Sequence, residues 1–228
     1  MTAPRILVFS RTTGYRHDSI PDGHAAFAAL GAAHGFTVLP TEDPGELAAR
    51  LPGSRAVVFL SASGEVLTPA ARDALRRHCA AGGGFVGVHA ASTAEPGWPW
   101  YGELIGARFA GHPDLQPGEL VVEDHGHPAT AHLPRRWRLT DEWYDFAEGP
   151  GPGARVLASA DEHSYRGGRT GGNHPLVWCH RNTGGPVFHT ALGHEAALFA
   201  DPDYRRHLLG GLAWAAGLRM PGPGPGAA

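Results

Sequence analysis

Four short apolar runs in the first ninety residues constrain the fold more than any other feature. They lie at 6–9, 36–39, 57–60 and 85–88. Their apolarity is continuous rather than alternating, which is typical of strands buried on both faces of a parallel sheet. Segments with helical spacing separate them. The alternation predicts an α/β fold of three layers, with a mostly parallel sheet and helices on both faces.

Helix boundaries are marked by capping residues. Ser19 is the predicted N-cap of the first helix, and Gly35 ends that helix. Asp43, Thr68 and Asp201 each precede a proline, a pair typical of an N-cap followed by the first helical position. The sequence therefore predicts helices between the strands and one more near the end of the chain.

Beyond residue 88 the pattern loosens. Short runs at 120–122, 137–139, 155–158, 176–179 and 187–190 predict further strands, which would form a mixed β extension of the sheet. We expect a single domain over 1–220 and a disordered tail at 221–228, because that tail holds little besides proline, glycine and alanine.

Composition excludes several classes of partner and chemistry. The net charge is -3, so neither a nucleic-acid nor a membrane partner is expected. The 19 residues counted as Lys or Arg are all arginine, and the lack of lysine excludes Schiff-base chemistry. Cys79 and Cys179 are too few for a disulfide framework. No stretch has signal-peptide or transmembrane character, and we expect a cytoplasmic protein.

Polar residues follow the predicted strands where such sheets bind ligands. The loop 10–19 contains His17 and Asp18 and runs into a helix N-terminus, which favours an anion or a hydroxyl-rich ligand. The simpler alternative is a solvated loop with Ser19 as a cap. The later glycine-rich run 167–172 lacks the lysine of a phosphate-binding loop, so a nucleotide site is rejected.

The segment 82–92 has the strand-then-sharp-turn pattern of a nucleophile elbow, with His89 where a nucleophile would stand. A histidine there can act as general base, as electrophile or as metal ligand. The alternative is that it hydrogen-bonds the next loop and only supports the site.

Further candidates lie in two aromatic segments. Asp141 and Glu142 are adjacent, so in a strand only one of them would line the site, beside an aromatic wall that includes Tyr144. Trp100 and Tyr101 belong to an aromatic group near the elbow that would either hold a sugar or pack in the core.

The chain has 15 histidines, which raises the question of a metal. His17, His89, His174 and His194 adjoin predicted strand ends, and convergent imidazoles with one carboxylate would suit a divalent ion such as zinc. No local metal-binding spacing is present, so no cofactor is certain. Surface or turn positions are expected for His24, His34, His78, His125, His127, His180 and His207.

Six short motifs follow one another along most of the chain. They are GYRHDS at 14–19, GVHAA at 87–91, WPWY at 98–101, DEWY at 141–144, HPLVW at 174–178 and TALGH at 190–194. In this order they resemble the ThuA (trehalose utilisation) family. The resemblance implies a flavodoxin-like fold of the class I glutamine-amidotransferase type and a link to trehalose and related, often 3-oxidised, sugars.

One departure from that pattern and one difference from the amidotransferases bear on function. The family usually carries an Asp-Thr pair where this chain has Thr93 and Ala94, which puts substrate identity and activity in doubt. Amidotransferases of this fold need a cysteine at the elbow, and here the residue is His89, so glutamine hydrolysis through a thiol is excluded. His194 stands where their histidine would be.

The leading hypothesis is an enzyme that processes 3-oxo-glycosides by elimination and hydrolysis, or by isomerisation. The catalytic candidates are His89, His194 and Glu142. The substrate-binding candidates are His17, Asp18, Trp100, Tyr101, Asp141, Tyr144 and His174. The resemblance also implies functional coupling to a sugar dehydrogenase. The alternatives are a non-catalytic sugar-binding or regulatory module and a metal-dependent hydrolase, and the oligomeric state stays open.

Overall fold

The computed structural model describes residues 2–219 and contains one large sheet flanked by helices. The strands are β1 Arg5–Phe9, β2 Thr37–Thr41, β3 Ala56–Leu60, β4 Gly84–Val88, β5 Phe109–Gly111, β6 Gln116–Val122, β7 Arg136–Asp141, β8 Asp145–Phe146, β9 Arg155–Ala160, β10 Pro175–His180 and β11 Val187–Thr190. The helices are α1 Ile20–His34, α2 Pro44–Arg50, α3 Pro69–Ala80, α4 Pro99–Ile105 and α5 Pro202–Ala216. The predicted tail at 221–228 lies outside the described residues.

The nine strands of the main sheet run in the order β2-β1-β3-β4-β11-β10-β9-β6-β7. From β2 to β11 neighbouring strands are parallel, and from β11 to β7 they are antiparallel. The expected α/β fold with a mixed extension is therefore confirmed. β5 and β8 form a separate two-stranded sheet that the sequence patterns did not predict.

Burial on both faces explains why the first strands are continuously apolar. In β1, Val8 packs on the side of α1 and α5, whereas Phe9 packs on the side of α2 and α3. Phe59 and Phe85 extend that second side, where Leu104 of α4 also packs. Since β1, β3 and β4 alternate between two apolar layers, a polar residue on either face of these strands would be costly.

Several polar side chains lie elsewhere than expected. His78, His127, His180 and His207 are buried rather than exposed, and each has a ring nitrogen hydrogen-bonded to the backbone or to a hydroxyl. Ser19 does not cap α1 with its side chain. Its hydroxyl donates instead to the carbonyl of Gly193, 3.0 Å away, and so ties two loops together.

Within the described range, no helix combines the length and the apolar composition that crossing a membrane requires.

Candidate active site

His89 occupies a strained position immediately after β4. Its backbone φ is 52°, a left-handed conformation rare for a side chain of this size, and its ring is fully buried. Nδ1 lies 2.7 Å from the carbonyl oxygen of Ala191, to which it donates. The bond fixes the tautomer, so the lone pair of the neutral ring is on Nε2.

Three polar groups surround Nε2 of His89. The hydroxyl of Tyr144 lies 2.9 Å away, Nε2 of His17 lies 3.0 Å away, and Oε2 of Glu142 lies 3.4 Å away. Nδ1 of His194 is 3.1 Å from the other oxygen of Glu142. We call His17, His89, Glu142 and His194 the His–Glu cluster, because one ligand atom from each lies within 4.8 Å of the others.

The cluster is assembled at the carboxyl ends of parallel strands. His17 comes from the loop after β1, His89 follows β4, and His194 follows β11. Glu142 arrives from the antiparallel part of the sheet, after β7. Residues far apart in the chain therefore meet where such sheets bind ligands.

Asp141, the neighbour of Glu142, has a different place. It is fully buried at the end of β7, and its carboxylate accepts the backbone N–H groups of Glu142, Gly193 and His194 at 2.8 to 3.0 Å. Burial raises the pKa of Asp141, although His89 and these backbone groups oppose the rise. Contrary to expectation Asp141 cannot touch a sugar; it holds the loop that carries His194.

The electrostatics of the cluster favour a neutral His17 beside an ionised Glu142. Burial, followed by the neighbouring His89 and His194, lowers the pKa of His17 to about 3. Burial acts to raise the pKa of Glu142, but with Nε2 of His89 protonated the hydrogen bond and charge of that ring, together with the charge of His194, outweigh burial and lower that pKa. Burial raises the pKa of Tyr144 well above its usual value, so its phenol keeps its proton.

A cleft of about 560 Å³ opens next to the cluster, within the size range of small-molecule sites. Glu142 and His17 reach it directly. Its lining consists of Gly14, Tyr15, His17, Ser63, Gly64, Ala90, Thr93, Phe109, His112, Glu142 and Tyr144. The wall is thus aromatic, with a carboxylate and imidazoles at one end, which suits a ring-shaped ligand with hydroxyl groups.

The rim of the cleft is built from two interlocked loops. The backbone N–H groups of Thr13 and Gly14 both donate to the carbonyl of Ser63, and the hydroxyl of Ser63 donates to the carbonyl of Tyr15 at 2.5 Å. Tyr15 is 68% exposed at this rim. The loops therefore hold an exposed aromatic ring in a fixed place beside the cleft.

Replacing Gly64 by alanine is expected to disturb the rim. Gly64 has φ +79°, and a Cβ there would lie 2.7 Å from the backbone nitrogen of Gly14. We expect a loss of stability of about 2–4 kcal/mol, from left-handed strain plus overpacking. Gly82→Ala is the matched control, because Gly82 has φ +87° and its added Cβ would have no atom of residues 2–219 within 4 Å apart from its chain neighbours. Urea denaturation compares the two; equal losses would contradict the interlocked rim.

His174 belongs to a second group and not to the His–Glu cluster. Its Nδ1 lies 2.7 Å from Oε1 of Glu162, and its Nε2 donates to the carbonyl of Tyr144 at 2.8 Å. Glu162 also accepts the backbone N–H groups of Thr170 and Gly171. The carboxylate of Glu162 is therefore already occupied by hydrogen-bond donors. Together His174 and Glu162 fix the glycine-rich loop and the backbone of Tyr144, and His174 does not converge on a metal with the other histidines.

Three other predicted substrate-binding residues lie outside the cleft. Tyr101 is fully buried in the core and donates to the carbonyl of Ala91. Trp100 packs against Trp98, and the guanidinium of Arg76 lies over both indole rings. Asp18 is exposed and does not line the cleft. Of the two alternatives predicted for this aromatic group, sugar binding or core packing, the structure agrees with core packing, because α4 turns these side chains toward the sheet.

His112, Tyr15 and Phe109 line the cleft and were not among the sequence candidates. Nε2 of His112 lies 3.5 Å from Oε1 of Glu142, and its ring stacks on that of Tyr144. Tyr15 belongs to the GYRHDS motif at 14–19, and this was the one sequence feature that could have marked it as a site residue. His112 and Phe109 follow no predicted strand, since β5 has only three residues.

Comparison with known proteins agrees with this architecture. The family model of ThuA, described as trehalose utilisation, matches residues 5–215. A ThuA-like protein from Bacteroides uniformis is 24% identical, with 94% of this chain and 93% of that chain covered at a TM-score of 0.80. A ThuA-like protein from Parabacteroides merdae is 22% identical, with 94% and 90% covered at 0.78. A β-galactosidase from Bacillus circulans is 15% identical, with 94% and 31% covered at 0.62. No curated protein matches.

Proposed function

We propose that this chain, which belongs to the ThuA family, is an enzyme of carbohydrate metabolism that acts on trehalose-related sugars oxidised at C3. The observation that carries the proposal is that Glu142 faces an aromatic cleft, with His89 and His194 in contact behind it. Such an arrangement supports proton transfer to and from a bound sugar.

A 3-oxo group makes this chemistry accessible without a thiol nucleophile. The carbonyl acidifies the hydrogen on C2, and a base that removes it leaves an enolate. The enolate electrons then form a C1=C2 double bond while the bond from C1 to its substituent oxygen breaks, and that oxygen takes up a proton. Water adding across the double bond completes a net hydrolysis. An isomerisation would proceed through the same enolate, which would then be reprotonated at a different atom.

Glu142 is the base in this proposal, because it is ionised and lines the cleft. His89 and His194 contact its two oxygens and would accept or return the proton from the protein side. Tyr144 lines the cleft and stays protonated, so its phenol is a donor for a developing oxyanion. His17 completes the wall next to them.

Proton NMR in D2O tests the proposal with 3-oxo-trehalose and with unoxidised trehalose. Exchange of the C2 hydrogen reports enolisation, and loss of the anomeric signal reports cleavage. We expect exchange with the oxidised sugar alone, with or without cleavage. Cleavage of unoxidised trehalose would favour a metal-dependent hydrolase, and an unchanged oxidised sugar would refute enzymatic action on this class.

A non-catalytic sugar-binding module is the second candidate, and one observation favours it. Thr93 lines the cleft where the resemblance leads one to expect a carboxylate, and its hydroxyl is used in a 2.7 Å bond to the carbonyl of Ala90. Saturable binding of the sugar without exchange at C2 would support this reading.

Tyr15→Ala is expected to raise KM for a 3-oxo-disaccharide about three- to tenfold, with kcat nearly unchanged, because an exposed ring at the rim contributes binding and no chemistry. Leu115→Ala is the matched control, since Leu115 is also an exposed apolar residue but lies outside the cleft lining. Steady-state kinetics separates the two constants; a fall in kcat alone would contradict the rim assignment.

A further inference from the structure

We infer that His17, His89 and His194 form a binding site for a divalent transition-metal ion, with Glu142 beside it as the base. The metal site and the proposed function involve the same residues. The inference rests on the proposed function only for the effect that the ion would have on the substrate. Metal binding itself is decided by the geometry of the three imidazoles.

The distances around His89 are close to those between ligands of one ion. Ligand bonds of about 2.0–2.2 Å in a tetrahedral site place neighbouring ligand atoms about 3.3–3.6 Å apart. The two Nε2 atoms of His17 and His89 are 3.0 Å apart, and one ligand atom of each cluster member lies within 4.8 Å of the others.

Hydrogen bonding within the cluster does not satisfy its nitrogens. The one lone pair on Nε2 of His89 faces both the hydroxyl of Tyr144 and Nε2 of His17. Nδ1 of His17 and Nδ1 of His194 are buried, and neither finds a hydrogen-bond partner within residues 2–219. The contact of 3.1 Å between His194 and Glu142 has the distance of a hydrogen bond but not its direction. Buried nitrogens left in this state are costly unless another group binds them.

The surroundings prepare these rings as ligands. His89 donates its Nδ1–H to the carbonyl of Ala191, the bond to a backbone oxygen that metal-binding histidines commonly make with their second nitrogen. Asp141 fixes the backbone of His194 through its N–H.

Three imidazoles favour zinc or a neighbouring transition metal over magnesium or calcium, which prefer oxygen ligands. Catalytic sites of this kind hold the ion with three protein ligands and leave one position for substrate or water. Here the remaining side faces Glu142 and the cleft, where an ion would hold the C3 oxygen of an oxidised sugar while Glu142 takes the proton. Because Glu142 lines the cleft, whereas His89 and His194 do not, we place Glu142 outside the ligand set and keep it as the base.

Metal analysis of the full-length protein tests the inference. After loading with Zn²⁺ and removal of free metal, we expect about one equivalent per chain in the wild type. His17→Gln and His194→Gln should each weaken binding at least about tenfold. His163→Gln, an exposed histidine outside the cluster, and Glu142→Gln should retain the ion. Loading with Co²⁺ gives a second readout, because four-coordinate cobalt absorbs visible light strongly.

Each result bears on the inference directly. Less than half an equivalent in the folded wild type, or equal binding by His17→Gln and His163→Gln, would overturn the site. Loss of the ion from Glu142→Gln would overturn the assignment of Glu142. Circular dichroism confirms that each variant is folded. Because the readout is metal content, the site stands if the protein binds the ion but leaves 3-oxo-trehalose unchanged, and in that case only the proposed function fails.

Discussion

Replacing His89 by asparagine is expected to lower turnover of a 3-oxo-glycoside by about 10²–10⁴-fold, the range that a general acid–base group contributes. The ring nitrogen at the centre of the His–Glu cluster is lost, and with it the contacts to Tyr144, His17 and Glu142. Asparagine is chosen because it tolerates the left-handed backbone at φ 52° better than alanine does.

The assay follows the anomeric and C2 signals of 3-oxo-trehalose by NMR, under the same conditions for the wild type and all variants. His163→Asn is the matched control, since it removes an exposed imidazole that does not belong to the His–Glu cluster. This variant should keep wild-type turnover. Turnover by His89→Asn within about threefold of the wild type would show that the elbow histidine supports the loop and takes no part in proton transfer.

The adjacent carboxylates Asp141 and Glu142 are expected to give opposite results. Asp141→Asn should lower the free energy of unfolding by about 2–4 kcal/mol, because three backbone N–H groups lose a charged acceptor and at least one of them faces the new amide donor. Glu142→Gln should change stability by less than about 1 kcal/mol, since Glu142 lines the cleft and accepts no backbone hydrogen bond from residues 2–219.

Urea denaturation gives both free energies, with unchanged m values as the check that the transitions are comparable. Turnover completes the comparison: Glu142→Gln should lose it although the protein stays folded, whereas Asp141→Asn should lose it together with stability. Equal stability of the two variants would contradict the structural role of Asp141. Full turnover by Glu142→Gln would contradict its role as base.

The α/β architecture followed from the sequence because its signals are local. The continuous apolarity of residues 57–60 and 85–88 reflects burial on two faces, and the proline after Thr68 marks a helix start, whatever the rest of the chain does. The ThuA family was likewise recognisable from short motifs in order, and the family match over 5–215 confirms it. The elbow position of His89 also came from a local pattern, strand then turn, although its catalytic role stays a prediction.

The composition of the site was decided by tertiary structure. His17 and His89 are 72 positions apart and meet only because β1, β3 and β4 are neighbours in the sheet. Nothing local tells which of Asp141 and Glu142 turns toward the cleft, or that α4 sends Tyr101 into the core while His112 reaches the wall. Strands and helices are set by hydrogen bonds and burial over a few residues, whereas a site depends on which distant loops the completed sheet brings together.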